Sequence, residues 1–525
     1  MKGSWKEKTV KQMNDGNMVL GIELGSTRIK AVLLNEKREP VATGSFEWES
    51  RYENGFWTYP LSLAEEGVRA AYRDLIRDLG RPLETLGAIG ISGMMHGYLP
   101  FDQEGNLLTP FRTWQNTTTG QASKELTELF GFHIPERWCV AHYYQAMLNG
   151  EPHVPKVRFL TTLAGYLHWK LTGRKAAGLG EASGIFPVDP ATKDYDENML
   201  EQFRTLTGKD IRPLLPEALP AGTEGGRLSA EGARFLDPSG ALKPGVPAAP
   251  CEGDAATGLV ATNSVRPGTG NVSAGTSAFA MFVADHPLGV HPEVDMLLTP
   301  DGSPVAMVHA ANCTNDLNAW VGLLSEFAEM TGNPAGKGEL FEKLFRKAME
   351  AEPDAGGLLS YNCISGEHLL ELPEGRPVFL RTAGGRLTLA NFMRAHLMSA
   401  LAVLKTGTDF LRETEQIRVD RIFAHGGFFK TPLVGQRLLA SALQVPVSLL
   451  RTAGEGGPYG MALLADYMIR KEEGETLSDY LDNKVFRDAE TVTVQPDPEE
   501  AAGFLSYMER YRKALPVERT ASEVL

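Results

Sequence analysis

Cysteine is scarce in this chain: there are four among 525 residues, at positions 139, 251, 313 and 363. No C-x-x-C pair occurs and no histidine stands beside them at zinc-finger spacing, which excludes a disulfide framework and a zinc finger. The four read as reduced, buried residues of a cytoplasmic chain. Positive charge is also in deficit. Lys and Arg number 52 against 66 Asp and Glu, a net charge of −14. That balance disfavours a nucleic acid or an anionic membrane surface as the main partner, because gripping a polyanion requires clustered cations. One small anion in a pocket of backbone N–H groups remains compatible with it. Long apolar runs are missing. Residues 397–404 are among the longest, far short of the ~20 that a membrane span demands. Residues 1–17 lack the apolar centre of a signal peptide and read as a flexible leader.

What is present is ordinary globular composition, 42% apolar and 22% charged. Single cores stop growing at roughly 250–300 residues, so a chain of this length implies at least two domains. Strand-like and helical patterns alternate along it. A strand, a Gly-Ser-Thr turn and a second strand begin at Met18. Residues 61–79 have helical spacing, and 87–95 (GAIGISGMM) read as a buried strand. Residues 157–171 read as a helix that Gly173 stops. A second strand–turn–strand at 268–283 echoes the first. The longest helical pattern covers 389–414 and leads to a strand at 417–424 and a helix at 432–443. Residues 216–226 and 238–250, rich in Pro and Gly, read as surface connections. From Pro498 a charged amphipathic helix closes the chain.

Several of these turns are dressed for chemistry. In the first, Gly25 leaves the backbone bare, Ser26 and Thr27 add hydroxyls, and Glu23 and Lys30 flank it. Successive N–H groups in such a turn form an anion nest, although an ordinary hairpin would look similar. The stretch 268–277, with Gly275, Thr276 and Ser277 at its end, carries three glycines and four hydroxyl residues, more than a two-residue hairpin loop needs. Glycines 426 and 427 stand between a strand and a helix. A Walker A loop is excluded there because Phe429 occupies the place of the glycine before Lys-Thr, and 454–459 fails the G-x-G-x-x-G pattern at Tyr459. Met95, His96 and Gly97 follow a buried strand, with Trp114 and Asn116 further on. A lone histidine at a strand end most often satisfies local hydrogen bonds. Asp254 sits among small residues (CEGDAATG), either as a helix N-cap, the default, or as a carboxylate held open for a substrate.

Taken in order, GIELGSTRIK, ISGMMHG, LTGRKAAGLGEASG, CEGDAATG, GTGNVSAGTSA, the helix near 395–411, AHGGFFKTP and GEGGPYGMALLA resemble the FGGY carbohydrate kinases of the actin/hexokinase-like ATPase superfamily, xylulokinases more than glycerol kinases. The resemblance runs from residue 18 to about 488. It implies an α/β fold of two ribonuclease-H-like domains flanking a cleft, 18–266 on the sugar side and 267–495 on the nucleotide side, with a helical tail at 496–525. It further implies ATP and Mg2+, a sugar such as xylulose, and a homodimer as the assembly to consider. Asp254 matches the catalytic base, and Met95, His96 and Gly97 the sugar loop, with Trp114 and Asn116 as further sugar contacts. Gly25, Ser26, Thr27, Lys30, Gly275, Thr276 and Ser277 match the phosphate hairpins, Gly426 and Gly427 the nucleotide loop, and Glu23 the metal contact. Four features depart from the pattern. Glu23 replaces Asp, Phe428 and Phe429 replace smaller or polar residues, Glu181-Ala182-Ser183 replaces Asp-Ala-Ser, and 132–153 differs from the usual xylulokinase stretch. They leave the sugar open among ketoses and polyols. A degenerate ATP-binding homologue or sugar sensor of the same fold is the alternative, and a purely structural protein a more distant one.

Overall fold

The computed structural model describes residues 14–450 and 456–525. Val19–Leu24 (β1) is buried at all six positions, as expected of a strand covered on both faces. It turns back into Arg28–Leu34 (β2) and on to Pro40–Glu47 (β3), each pair antiparallel. Leu61–Leu79 (α1) then buries Ala64, Val68, Ala71, Tyr72, Leu75 and Leu79 at helical spacing, and stops where Gly80 turns left-handed. Ala88–Gly93 (β4), also buried throughout, lies parallel to β1 on the side away from β2. Three two-residue strands complete the sheet: Gly226–Arg227 (β5), Pro247–Ala248 (β6) and Glu252–Gly253 (β7). The order is β5-β6-β4-β1-β2-β3, with β7 also paired to β4. The helices Cys139–Leu148 (α2), Leu163–Thr172 (α3), Leu179–Ala182 (α4) and Asp254–Ala261 (α5) belong to this half.

The second sheet repeats the plan. Its strands are Thr269–Ala274 (β8), Ala278–Val283 (β9), Asp295–Leu298 (β10), Pro304–Ala310 (β11), Arg421–His425 (β12), Val447–Leu450 (β13) and Thr491–Val494 (β14), in the order β10-β11-β9-β8-β12-β13-β14. Like β1, β8 has an antiparallel hairpin partner on one side and a parallel neighbour, β12, on the other. The helices Asn315–Met330 (α6), Leu389–Thr414 (α7) and Val434–Leu443 (α8) build its core. Gly456–Arg470 (α9) does not join them. Its Tyr459, Met461, Leu463 and Leu464 belong to the first core instead. Pro498–Val524 (α10) returns to the second core through Phe504, Tyr507, Met508 and Tyr511. One face of the second sheet, with Met281, Val283 and Leu297, joins the first core, so the two halves meet over apolar surface.

Several expectations change. Residues 157–171 are not one helix. Phe159–Thr161 pairs antiparallel with Leu99–Phe101, and the helix starts only at Leu163, where the Thr162 hydroxyl caps the Gly165 N–H at 3.3 Å. Of the Gly-rich stretch 268–277, most is strand, and the turn is only Gly275-Thr276-Ser277. The strand expected at 417–424 is shifted to Arg421–His425, because Gln416 takes a left-handed turn and pairing with β8 begins only at Arg421. The helix after it begins at Val434, since Leu433 is also left-handed. At 27 residues α10 exceeds α7, with 26. The Asp497 carboxylate starts it by accepting the N–H groups of Glu499 and Glu500. All four cysteines are free and buried. Among the described residues no helix is long and apolar enough to cross a membrane.

Candidate active site

Parallel strands carry ligand sites beyond their carboxyl ends. In the first sheet β1, β4 and β7 end in register, with Leu24 beside Gly93 and Gly93 beside Gly253. Three chemistry-bearing stretches therefore leave the sheet together: the turn at Gly25, the loop Met94–Gly97, and Asp254. The N-cap of α5 is Gly253, and Asp254 is the first helical residue. The carboxylate is consequently not a cap. Its Oδ1 accepts the N–H of Ala255 at 3.0 Å and of Met95 at 3.2 Å, which clips the acid to the loop. Burial raises its pKa above the ordinary 3.8, while these N–H groups pull it back.

In that loop His96 and Gly97 take consecutive positive φ values, 69° and 91°, a conformation that costs energy at a histidine and must be held by its surroundings. The His96 ring is buried, stacks on Trp138 with centroids 6.1 Å apart, and places Nδ1 3.5 Å from the Gly184 carbonyl oxygen. Burial lowers its pKa to about 3, so the ring is neutral. Met95 is buried against Gly253 and Gly184.

Trp114 is 42% exposed. Asn116, expected at the sugar, has its amide engaged by the chain itself. It accepts the Trp57 N–H at 2.8 Å and donates to the carbonyls of Trp57 and Thr113 at 2.9 Å each. Gln115 between them holds a buried Oε1 without a hydrogen-bond partner.

Each hairpin tip is closed by its glycine N–H. Gly25 N–H bonds the Arg28 carbonyl at 3.1 Å, and Gly275 N–H the Ser277 carbonyl at 2.9 Å. Thr27, Thr276 and Ser277 are exposed and Ser26 is half-buried. Thr314, ahead of α6, docks on the second tip, its N–H and hydroxyl donating to the Gly275 carbonyl at 3.0 and 2.7 Å. Glu23 and Lys30 face each other across β1 and β2. Glu23 is 8% exposed; burial, then the Asp254 charge, push its pKa to about 7, with Lys30 opposing. At Gly457 a Cβ would lie 1.8 Å from Glu23 Oε1, so α9 comes down directly on this carboxyl.

Gly426, with φ 107°, lies so close to the end of β8 that a Cβ would stand 2.3 Å from the Ala274 carbonyl oxygen, whereas Gly427 opens to free space. Phe428 and Phe429 turn away into the core, Phe428 against Phe345 at 5.9 Å. The departure at these two positions is thus a packing matter. Gly454 and Glu455 lie outside the described residues.

Two buried acids escaped the sequence reading as members of this site. The Glu252 carboxylate accepts the Glu181 N–H at 2.8 Å, and burial raises its pKa to about 8. Glu181, noticed only as a departure, accepts the Thr162 hydroxyl and is raised well above 4.5 by burial. The signal for Glu252 was available as an acid two positions before Asp254.

Among the described residues no group of three or more His, Cys, Asp or Glu is placed to hold a metal. A cation at Glu23 would depend on few carboxylates, with phosphate oxygens and water completing its shell, which is how Mg2+ binds beside phosphates. Bare glycine turns, exposed hydroxyls and the Lys30 ammonium suit a phosphate chain. The residues present therefore fit a magnesium nucleotide.

Two family models match the chain: the N-terminal domain of the FGGY family of carbohydrate kinases over residues 18–261, and the C-terminal domain of that family over residues 270–469. A xylulose kinase of Lactococcus lactis subsp. lactis is 23% identical over 96% of this chain and 97% of that protein. One of Klebsiella pneumoniae is 27% identical over 87% and 91%. The crystal structure of xylulose kinase from Rhodospirillum rubrum superposes with a TM-score of 0.78 at 19% identity, covering 95% of this chain and 99% of that one, and shares its fold.

Proposed function

Because this chain belongs to the FGGY family of carbohydrate kinases and is itself a sugar kinase, we propose that it transfers the γ-phosphoryl group of ATP to a hydroxyl of a ketose, xylulose before others, with Asp254 as general base. The observation that carries this reading is the Asp254 carboxylate, half-buried where β7 runs into α5, with its Oδ1 clipping it to the Met95 N–H of the sugar loop. A sugar hydroxyl is a poor nucleophile. The carboxylate takes its proton as the oxygen bonds to the γ-phosphorus and the bond to the β,γ-bridging oxygen breaks, releasing ADP. Base catalysis contributes about 10²–10⁴-fold, and the remainder comes from positioning and charge neutralisation.

The turn Gly25-Ser26-Thr27 with Lys30, and the turn Gly275-Thr276-Ser277, supply N–H, hydroxyl and ammonium donors for the phosphates. Gly426 and Gly427 give the nucleotide close approach to the backbone. Met95, His96, Gly97, Trp114 and Gln115 line the sugar side. Glu23 would hold Mg2+, directly or through water, and the ion when bound neutralises phosphate charge. Residues 18–266 would carry the sugar and 267–495 most of the nucleotide, and closing them together keeps water from competing for the phosphoryl group. Four reduced, buried cysteines support a cytoplasmic setting.

Measuring ADP release with Mg-ATP across ketoses, polyols and aldonates tests the reading. Xylulose is expected to give the highest kcat/KM. ATP binding with no sugar-stimulated turnover on any member would leave a sensor in place of an enzyme.

A further inference from the structure

Residues 132–138, part of the stretch that departs from the xylulokinase pattern, run between the sugar loop and the second sheet. The Arg137 carbonyl accepts the Gly97 N–H at 3.0 Å. One position on, Trp138 is wholly buried and stacks on the His96 ring. The Arg137 side chain reaches the other way and pairs with Asp295 on β10, the edge strand of the second sheet. The His133 Nε2 stands 3.7 Å from the other oxygen of the same carboxylate. Burial lowers the His133 pKa, so at neutral pH the guanidinium supplies the charge, and it holds the Asp295 carboxyl below its ordinary range against burial. The side chains of this pair are 27% and 13% exposed, screened less than a surface pair.

The same strand touches the sugar side a second time. The Leu298 N–H donates to the Ser183 hydroxyl at 3.2 Å, next to Gly184, whose carbonyl faces His96 Nδ1. Two of the supports of His96, Trp138 and the Gly184 carbonyl, are therefore neighbours in sequence of residues bonded to β10. A turn with two consecutive positive φ values persists only where its surroundings over-determine it.

The geometry points to Arg137 and Asp295 as positioning residues for the sugar loop: through this ion pair the half of the molecule that would hold the nucleotide sets the His96-Gly97 turn that would hold the sugar. The inference rests on the sugar-site reading above. Four variants test it: Arg137→Gln, Asp295→Asn, the two combined, and Arg137→Lys. In steady-state kinetics each of the first two raises the KM for sugar on the order of tenfold and leaves the KM for ATP within about twofold. The combination is no worse than the poorer single variant, because both remove one interaction, and Arg137→Lys recovers most of the loss.

Hydrogen exchange on the ligand-free protein supplies an arm that needs no turnover. Amides of residues 94–98 exchange faster in Arg137→Gln and in Asp295→Asn than in the unaltered chain. Unchanged exchange there, a matching rise in the KM for ATP, or additive losses in the combination overturn the inference. If the unaltered chain phosphorylates no sugar, the proposed function fails, and the exchange arm still decides whether the pair holds the loop.

Discussion

Asp254 shows how much turns on one position. Placed first in the helix rather than at its cap, Asp254 accepts the Ala255 N–H of its own helix and, at the same oxygen, the Met95 N–H of the sugar loop. Asp254→Asn keeps the shape and an acceptor for Met95 but cannot take a proton. It is expected to lower kcat by on the order of 10²–10⁴ with sugar binding and melting temperature retained, as initial rates and a thermal-shift titration with sugar would read. Full turnover would remove the residue from the mechanism. Because burial raises the Asp254 pKa and the ionised form acts, kcat/KM should climb with pH through a midpoint above 3.8. A pH–rate profile with its acid midpoint at or below that value counts against the assignment. Sequence alone exposed the acid among small residues but not its place in the helix, since cap and first turn differ by one residue and patterning does not resolve helix ends that finely. Asn116 was illegible for another reason. Its partner, the Trp57 backbone, lies 59 positions away, and no local pattern announces it.

Among the elements, α9 governs the site most directly. It seats on β1 and α5 so closely that a Cβ at Gly21 would lie 2.0 Å from the Pro458 carbonyl oxygen, and one at Gly460 2.0 Å from that of Thr257. Gly21→Ala is expected to cost about 1–3 kcal/mol, the range for overpacking a well-filled core, in a urea melt. Activity should fall further than stability, because β1 carries Glu23 near its end and α5 begins at Asp254. Gly338→Ala is the control: its Cβ meets nothing within 4 Å and the substitution should leave stability equal or slightly raised. Equal melts for the two variants would mean that the seam relaxes freely. Local pattern sufficed for α1 and α7, whose bounds follow apolar spacing, and for both hairpins. It failed at 157–171, where the Thr162 cap divides a strand from a helix. It was silent about α9, because periodicity tells that a face is buried and not against what.

For the molecule as a whole, buried titratable groups set the pH range of stability. His96, His142 and His168 are buried and lowered by burial to about 3, 3 and 4. Their ordinary value is 6.5, so as pH falls below it the unfolded chain takes up protons that the folded one refuses, and stability declines. Glu252, raised to about 8, and Glu181, raised well above 4.5, do the reverse. They stay protonated when folded, so stability declines as pH rises from 4.5 through 8. Between about 4.5 and 6.5 the two groups oppose each other. Outside that window each unmatched proton costs ~1.4 kcal/mol per pH unit. Calorimetry should find the highest melting temperature on a plateau in this range, lower at pH 8 and at pH 4, with Glu252→Gln flattening the alkaline side. A steady rise from pH 5 to 8 would show that other groups dominate.

The return of α9 to the first core also has a consequence for the order in which the protein is made. Strands β1 and β4 and helix α5 leave the ribosome early, yet Met461, Leu463 and Leu464, which complete their packing, follow Ala261 by roughly 200 residues. At roughly 5–20 residues per second the first half waits on the order of 10–40 s with an apolar surface uncovered, while the second half emerges beside it. A nascent chain halted before residue 456 should therefore hold the Glu23 and Asp254 segments unfinished, and a chain released just past 470 should close them.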